Sequence, residues 1–163
     1  MSLFELCQWI QGTQVGTAIR ESIWVYPAIL AVHVLALSAS VGMLVWFDLR
    51  LLGIKMRSRA VSEVYRQLMP WMLGGFSVMF ATGGLLFWAL AAKCYGKVYF
   101  RIKVAALLFA GLNALVYHLI TEPTIADWDR APLPPLRARI AGMLSMACWI
   151  VTIAAGRRIV IGL

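Results

Sequence analysis

Acidic residues are scarce in this chain: seven Asp and Glu stand against fifteen Lys and Arg over 163 residues, and only 13% of positions are charged. Cysteine is scarce too. Cys7, Cys94 and Cys148 are odd in number and form no C-x-x-C, which excludes a disulfide framework and a thiolate metal site. Without a C-x-x-C-H, covalent attachment of a c-type haem is excluded as well. Histidine is limited to His33 and His118. No phosphate loop, dinucleotide fingerprint or Ser-His-Asp pattern is present, so the chemistries those motifs carry drop out. No repeat of solenoid type and no alternating barrel pattern occurs. The N-terminus lacks a basic n-region, and Glu5 interrupts its apolar run, which argues against a cleavable signal peptide.

What the chain has in excess is apolar surface. Hydrophobic residues make up 62% of it, and the mean hydropathy is +0.82. Soluble domains are about half apolar and about a quarter charged. A soluble chain this short cannot bury so much apolar area, whereas a bilayer absorbs it. The expected fold is all-α: a single domain over residues 1–163, an integral membrane four-helix bundle with a short interfacial N-terminal helix.

The spans are expected at about 23–47, 70–92, 99–121 and 139–155, each with enough rise to cross a hydrocarbon core of about 30 Å. Trp24, Tyr26, Trp46 and Phe47 mark the interfaces of the first. Pro70 suits the first turn of the second, after a surface helix capped by Ser58. Glu122-Pro123 stops the third, an irregular loop covers 122–138, and Arg157-Arg158 end the fourth and shortest. Ser2 and Glu5 form an S-x-x-E capping box for an interfacial helix over residues 2–11, ended by Gly12 and Gly16.

The net charge of +8 raises nucleic acid as a partner, but the basic residues cluster between apolar spans. They read as anchors facing lipid phosphates and as topology signals, so no nucleic acid is expected. Basic residues divide almost evenly between the two sides. The first span is more basic at its C-terminal flank, which favours both termini outside, in the periplasm of a bacterium. Small-residue helix faces with almost no extramembrane domain point to a homo-oligomer or a subunit of a larger membrane complex.

Chemistry is concentrated in the two histidines, since ionisable residues within a membrane are costly and mark function by default. Two imidazoles on different helices predict b-type haem, with His33 and His118 as axial ligands to the iron. Gly111 and Ala114 share the face of His118 and leave room for a flat macrocycle; Ser40 shares the face of His33. His33 and His118 differ in depth by roughly 15 Å; helix tilt or a shifted span boundary would remove part of that gap for a single ring, and otherwise the sites are two or ligands come from another subunit. Met72, Met79, Met143 and Met146 are further candidate ligands. Asp48 and Arg50 are expected to pair with a neighbouring helix or to end in solvent, and Asn113 to make an interhelical hydrogen bond. Glu122, Asp127 and Asp129 with His118 match no established metal spacing. The alternatives are a cofactor-free structural or assembly subunit and a small-molecule or metal transporter. Against transport, the spans hold no central acidic residue and no broken helix pair.

HVLALSASVG (33–42) followed by DLRLLG (48–53), and FRIK (100–103) continuing to LNALVYH (112–118), resemble an uncharacterised family of small bacterial four-helix membrane proteins. More distantly, the chain is similar to membrane cytochromes b and to CopD-type and HemJ-type proteins, which place a histidine some nine residues before a glycine, as at His33 and Gly42. That resemblance implies haem, an electron-transfer role and the bacterial inner membrane. The two-haem cytochromes use four histidines, so two within one chain cannot complete their bis-histidine relay.

Overall fold

The computed structural model describes residues 2–161. Among the described residues six α-helices follow one another: α1 (Leu3–Gly12), α2 (Gln14–Glu21), α3 (Val25–Leu51), α4 (Val61–Tyr95), α5 (Val98–Val116) and α6 (Leu136–Ile161). No strand occurs among the described residues. Four helices are long and apolar enough to cross a membrane: Val25–Leu51, Val61–Tyr95, Val98–Asp127 (α5 with the turns that extend it) and Leu136–Ile159. Their outer faces are apolar as well, with Leu35, Leu108 and Ile150 exposed. In a bilayer such surface meets lipid chains, and the helix satisfies its own backbone.

The capping box forms as expected. Ser2 N–H donates to Glu5 Oε2 at 2.8 Å, and Glu5 N–H donates to Ser2 Oγ at 3.2 Å. The first helix ends at Gly12 as expected, but Gly16 lies inside a second helix. Thr13 breaks α1 and caps α2 by accepting from Gly16 N–H. Gly16 is required there, because a Cβ would lie 2.9 Å from the Gln11 carbonyl and 3.2 Å from Trp88. The α1–α2 pair docks on the C-terminal part of α4.

That docking repairs a break. Leu90 leaves helical geometry (φ −131, ψ 27) inside α4. Near it, the Ala89 carbonyl accepts from Arg20 Nη1 at 3.3 Å, and Ala92 N–H donates to Gln11 Oε1 at 3.0 Å. Side chains of α1 and α2 thus supply hydrogen-bond partners where the helix ladder is disturbed, as a membrane interior demands.

Several boundaries differ from expectation. The surface helix and the second span are one helix: α4 starts at Val61 with Ala60, not Ser58, at its N-cap, and runs through Pro70. A proline removes one ladder donor and need not stop a helix packed along a neighbour. The third span continues past α5 through a π turn at Tyr117–Thr121 and a 3-10 turn at Glu122–Asp127. Glu122-Pro123 changes the pitch there without ending the winding. The fourth span begins at Leu136 and its helix passes Arg157-Arg158, because arginine favours helix and its stem can snorkel.

Packing is uneven. The pairs α3–α4 and α5–α6 are intimate and α3 joins α6, while α4 and α5 scarcely touch along their lengths. At the α3–α4 crossing, a Cβ on Gly75 would collide with Ser40 Oγ and lie 3.3 Å from its Cβ. Ser40 is fully buried there and donates to the Ala36 carbonyl at 2.7 Å.

Candidate functional site

Both histidines have one ring nitrogen engaged. On α3, His33 is half-buried, and Nδ1 lies 3.0 Å from the Met79 carbonyl and 3.0 Å from Thr82 Oγ1 on α4. A carbonyl only accepts, so Nδ1 carries the proton and Nε2 bears the lone pair. Nε2 has no hydrogen-bond partner among the described residues. Gly83 packs under the ring, where a Cβ would sit 3.1 Å from Cε1. His118 lies in the π turn, where its Nδ1 pairs with the Glu122 carboxylate one turn on; its side chain is exposed.

The two imidazoles are not brought together. His33 lies about two turns into α3, whereas His118 lies beyond the C-terminal end of α5, which runs parallel to α3. At 1.5 Å per residue they are roughly 18 Å apart along the bundle. Ser40 belongs to the α3–α4 crossing described above.

The gap between α4 and α5 is a cleft with a volume of about 550 Å³. Its lip carries Gly111 and Ala114 on α5 and His118 in the π turn that follows, all exposed, so the face expected from the sequence is present beside an open space. Met72 on α4 also lines it, while Met79 packs with Val41 and Trp149 in the middle of the bundle. The floor is buried and apolar except at one end. Asp48 is 2% exposed and Tyr117 8%, and both line the cleft. Asp48 Oδ2 and the Tyr117 hydroxyl have no hydrogen-bond partner. Asn113 donates to the Ala141 carbonyl of α6 at 2.9 Å, the interhelical bond expected of it.

The chain belongs to a family of unknown function (DUF6644). The family's pattern matches residues 7–162, nearly the whole chain and all four spans. No curated protein and no solved structure matches it.

Asp48 and Arg50 form neither a pair with a neighbouring helix nor a solvated helix end. Arg50 is fully buried and ties two loops together: Nε donates to the Arg59 carbonyl at 2.9 Å, and Nη2 to the carbonyls of Asp129 and Ala131 at 3.2 and 3.1 Å. Asp129 in turn caps α4 from the far loop, accepting from Ser62 N–H and Ser62 Oγ, each at 2.7 Å. Burial opposes ionisation of Asp129, but the two Ser62 bonds, the Val61 N–H and the nearby Arg130 charge together outweigh it and hold the carboxyl below its ordinary range. No cluster of three His, Cys, Asp or Glu able to hold a metal ion occurs among the described residues. Sequence reading missed the Asp48–Tyr117 floor; its signal was an acidic residue one turn inside the end of an apolar span.

Proposed function

We propose that the chain is a b-type haem-binding membrane protein, an electron-transfer subunit whose axial imidazoles are His33 and His118. One observation carries the reading: His33 has Nδ1 hydrogen-bonded to protein oxygens and Nε2 left for a ligand, and His118 Nδ1 stands against the Glu122 carboxylate. Metal-ligating imidazoles have this outer partner, a carbonyl or a carboxylate, which fixes the tautomer and raises the basicity of the other nitrogen. Met79 and Thr82 serve His33, and Glu122 serves His118. The bare flank of α5 at Gly111 and Ala114 is compatible with a flat ring beside His118.

The distance along the bundle makes these two haem positions, each with one imidazole from this chain. A methionine such as Met72, or a second copy, would complete the coordination. Exposed apolar flanks and half-free ligands fit a homo-oligomer or a subunit of a larger complex in the bacterial inner membrane, with both termini periplasmic.

The test is optical. Protein purified from haem-replete cells should show a Soret band and reduced α and β bands, and the haem should extract into acidified acetone. His33→Ala and His118→Ala should each remove part of the spectrum, while Met43→Leu should remove none. A colourless preparation that added hemin leaves unchanged would overturn the proposal and leave a cofactor-free scaffold as the better reading.

A further inference from the structure

The cleft between α4 and α5 makes demands that neither histidine answers. Its walls are hydrocarbon and aromatic, with the rings of Phe76 and Trp149 stacked at 5.1 Å and 21° on one side. Two polar oxygens at its floor, Asp48 Oδ2 and the Tyr117 hydroxyl, are buried without a hydrogen-bond partner. An unmade hydrogen bond in an apolar interior is costly, so both atoms call for an occupant. Tyr117 is held edge-on against Phe47, with ring centroids 5.9 Å apart, which limits its freedom to turn elsewhere.

The occupant's chemistry follows from these groups. The cleft opens sideways, where α4 and α5 separate, so the molecule must be soluble in lipid. Aromatic walls favour a flat conjugated ring. A phenol donates or accepts, and a carboxyl group donates when protonated and accepts when ionised. A ring bearing carbonyl oxygens in one state and hydroxyls in another matches both. A cavity of about 550 Å³ is within the size range of small-molecule sites. From this geometry we infer that the cleft binds the head of a lipid-soluble quinone or quinol, with Tyr117 and Asp48 as its hydrogen-bond partners. The inference stands on the polar floor of the cleft, and it competes for the same space with a haem beside His118, whose ligand face lines the lip.

The experiment uses the full chain in quinone-free phospholipid nanodiscs, titrated with decylubiquinone; retained quinone is measured after gel filtration. Saturable retention near one molecule per chain is expected. Tyr117→Phe, which keeps the ring and removes only the hydroxyl, should weaken retention about tenfold, the effect of one lost hydrogen bond. Asp48→Leu should weaken it at least as much, and Asp48→Asn, which still donates and accepts, should restore most of it. Ala110→Phe, a substitution on the cleft wall, should block the site, with circular dichroism checking that the fold persists. No saturable retention, or equal retention by the wild type, Tyr117→Phe and Asp48→Leu, would overturn the inference. So would competition by excess phospholipid alone, which means an acyl chain fills the cleft, or a doubled mass with no quinone, which means a second copy does. Running the titration with and without added hemin separates the readings: absent haem bands with intact quinone retention sink the haem proposal only.

Discussion

Arg50→Ala should loosen the whole loop side of the bundle. The guanidinium is fully buried and serves three carbonyls, those of Arg59, Asp129 and Ala131. Asp129 O keeps a second donor, Val61 N–H at 2.9 Å, so truncation orphans two acceptors, the carbonyls of Arg59 and Ala131. Each orphaned buried group costs about 1–3 kcal/mol, giving about 2–6 kcal/mol together. For a chain of this size that lowers the unfolding midpoint by about 10 °C. Arg50→Lys should fall between, since an ammonium cannot reproduce the planar fork that spans separate acceptors. The assay is thermal unfolding in mild detergent followed by tryptophan fluorescence, for Trp128 packs in the cluster beside Leu51 and Val61. Trypsin gives a second readout, because releasing the 129–131 segment exposes the bond after Arg130. A midpoint shift below about 2 °C, with Arg130 still protected, would refute the view that Arg50 ties the loops.

The Asp129 cap carries a pH signature. Its folded pKa lies below the unfolded value, so its stabilisation is complete above about pH 4 and is lost as pH falls through the folded value. Asp129→Asn should flatten that acid-side loss of stability, and an unchanged pH profile would refute the assignment. Gly75→Ala should force α3 from α4 and cost about 1–3 kcal/mol, with part recovered in Gly75→Ala/Ser40→Gly. Gly74→Ala, where nothing lies within 4 Å of the added carbon, should be near neutral in the same unfolding assay. Lys55→Cys and Lys97→Cys stand on either side of α4, so membrane-impermeant thiol reagents should label them from opposite faces; labelling from the same face would refute four crossings.

The spans were legible because a run of apolar residues has one meaning in a lipid solvent. The Ser2–Glu5 box was legible because capping is local. Boundaries were less so. Pro70 and the Arg157-Arg158 pair carry sequence signals for helix ends, but α4 packs along α3, and α6 along α5, and packing carries each helix through. The π turn at Tyr117–Thr121 has no signature in residue type, yet it sets where Tyr117 and His118 stand on the bundle. The shared face of Gly111, Ala114 and His118 could be read from helical spacing. The partners of His33 could not: Met79 and Thr82 approach it only because the α3–α4 crossing closes on Ser40 and Gly75. Arg50 looked like a helix end because its acceptors lie in loops as far as 81 residues along the chain.

The sideways opening between α4 and α5 fixes the phase from which any occupant arrives. At the loop end, Arg50 ties the two hairpins together, and at the other a short turn at Gly96 and Lys97 joins α4 to α5. Entry is therefore by diffusion in the plane of the bilayer. The concentration that governs occupancy is the mole fraction in lipid, and an affinity expressed against the aqueous phase would rise with the partition coefficient of the molecule. Two ligands making identical contacts at Tyr117 and Asp48 would rank by tail length in a dilute aqueous assay and converge once their membrane concentrations were matched.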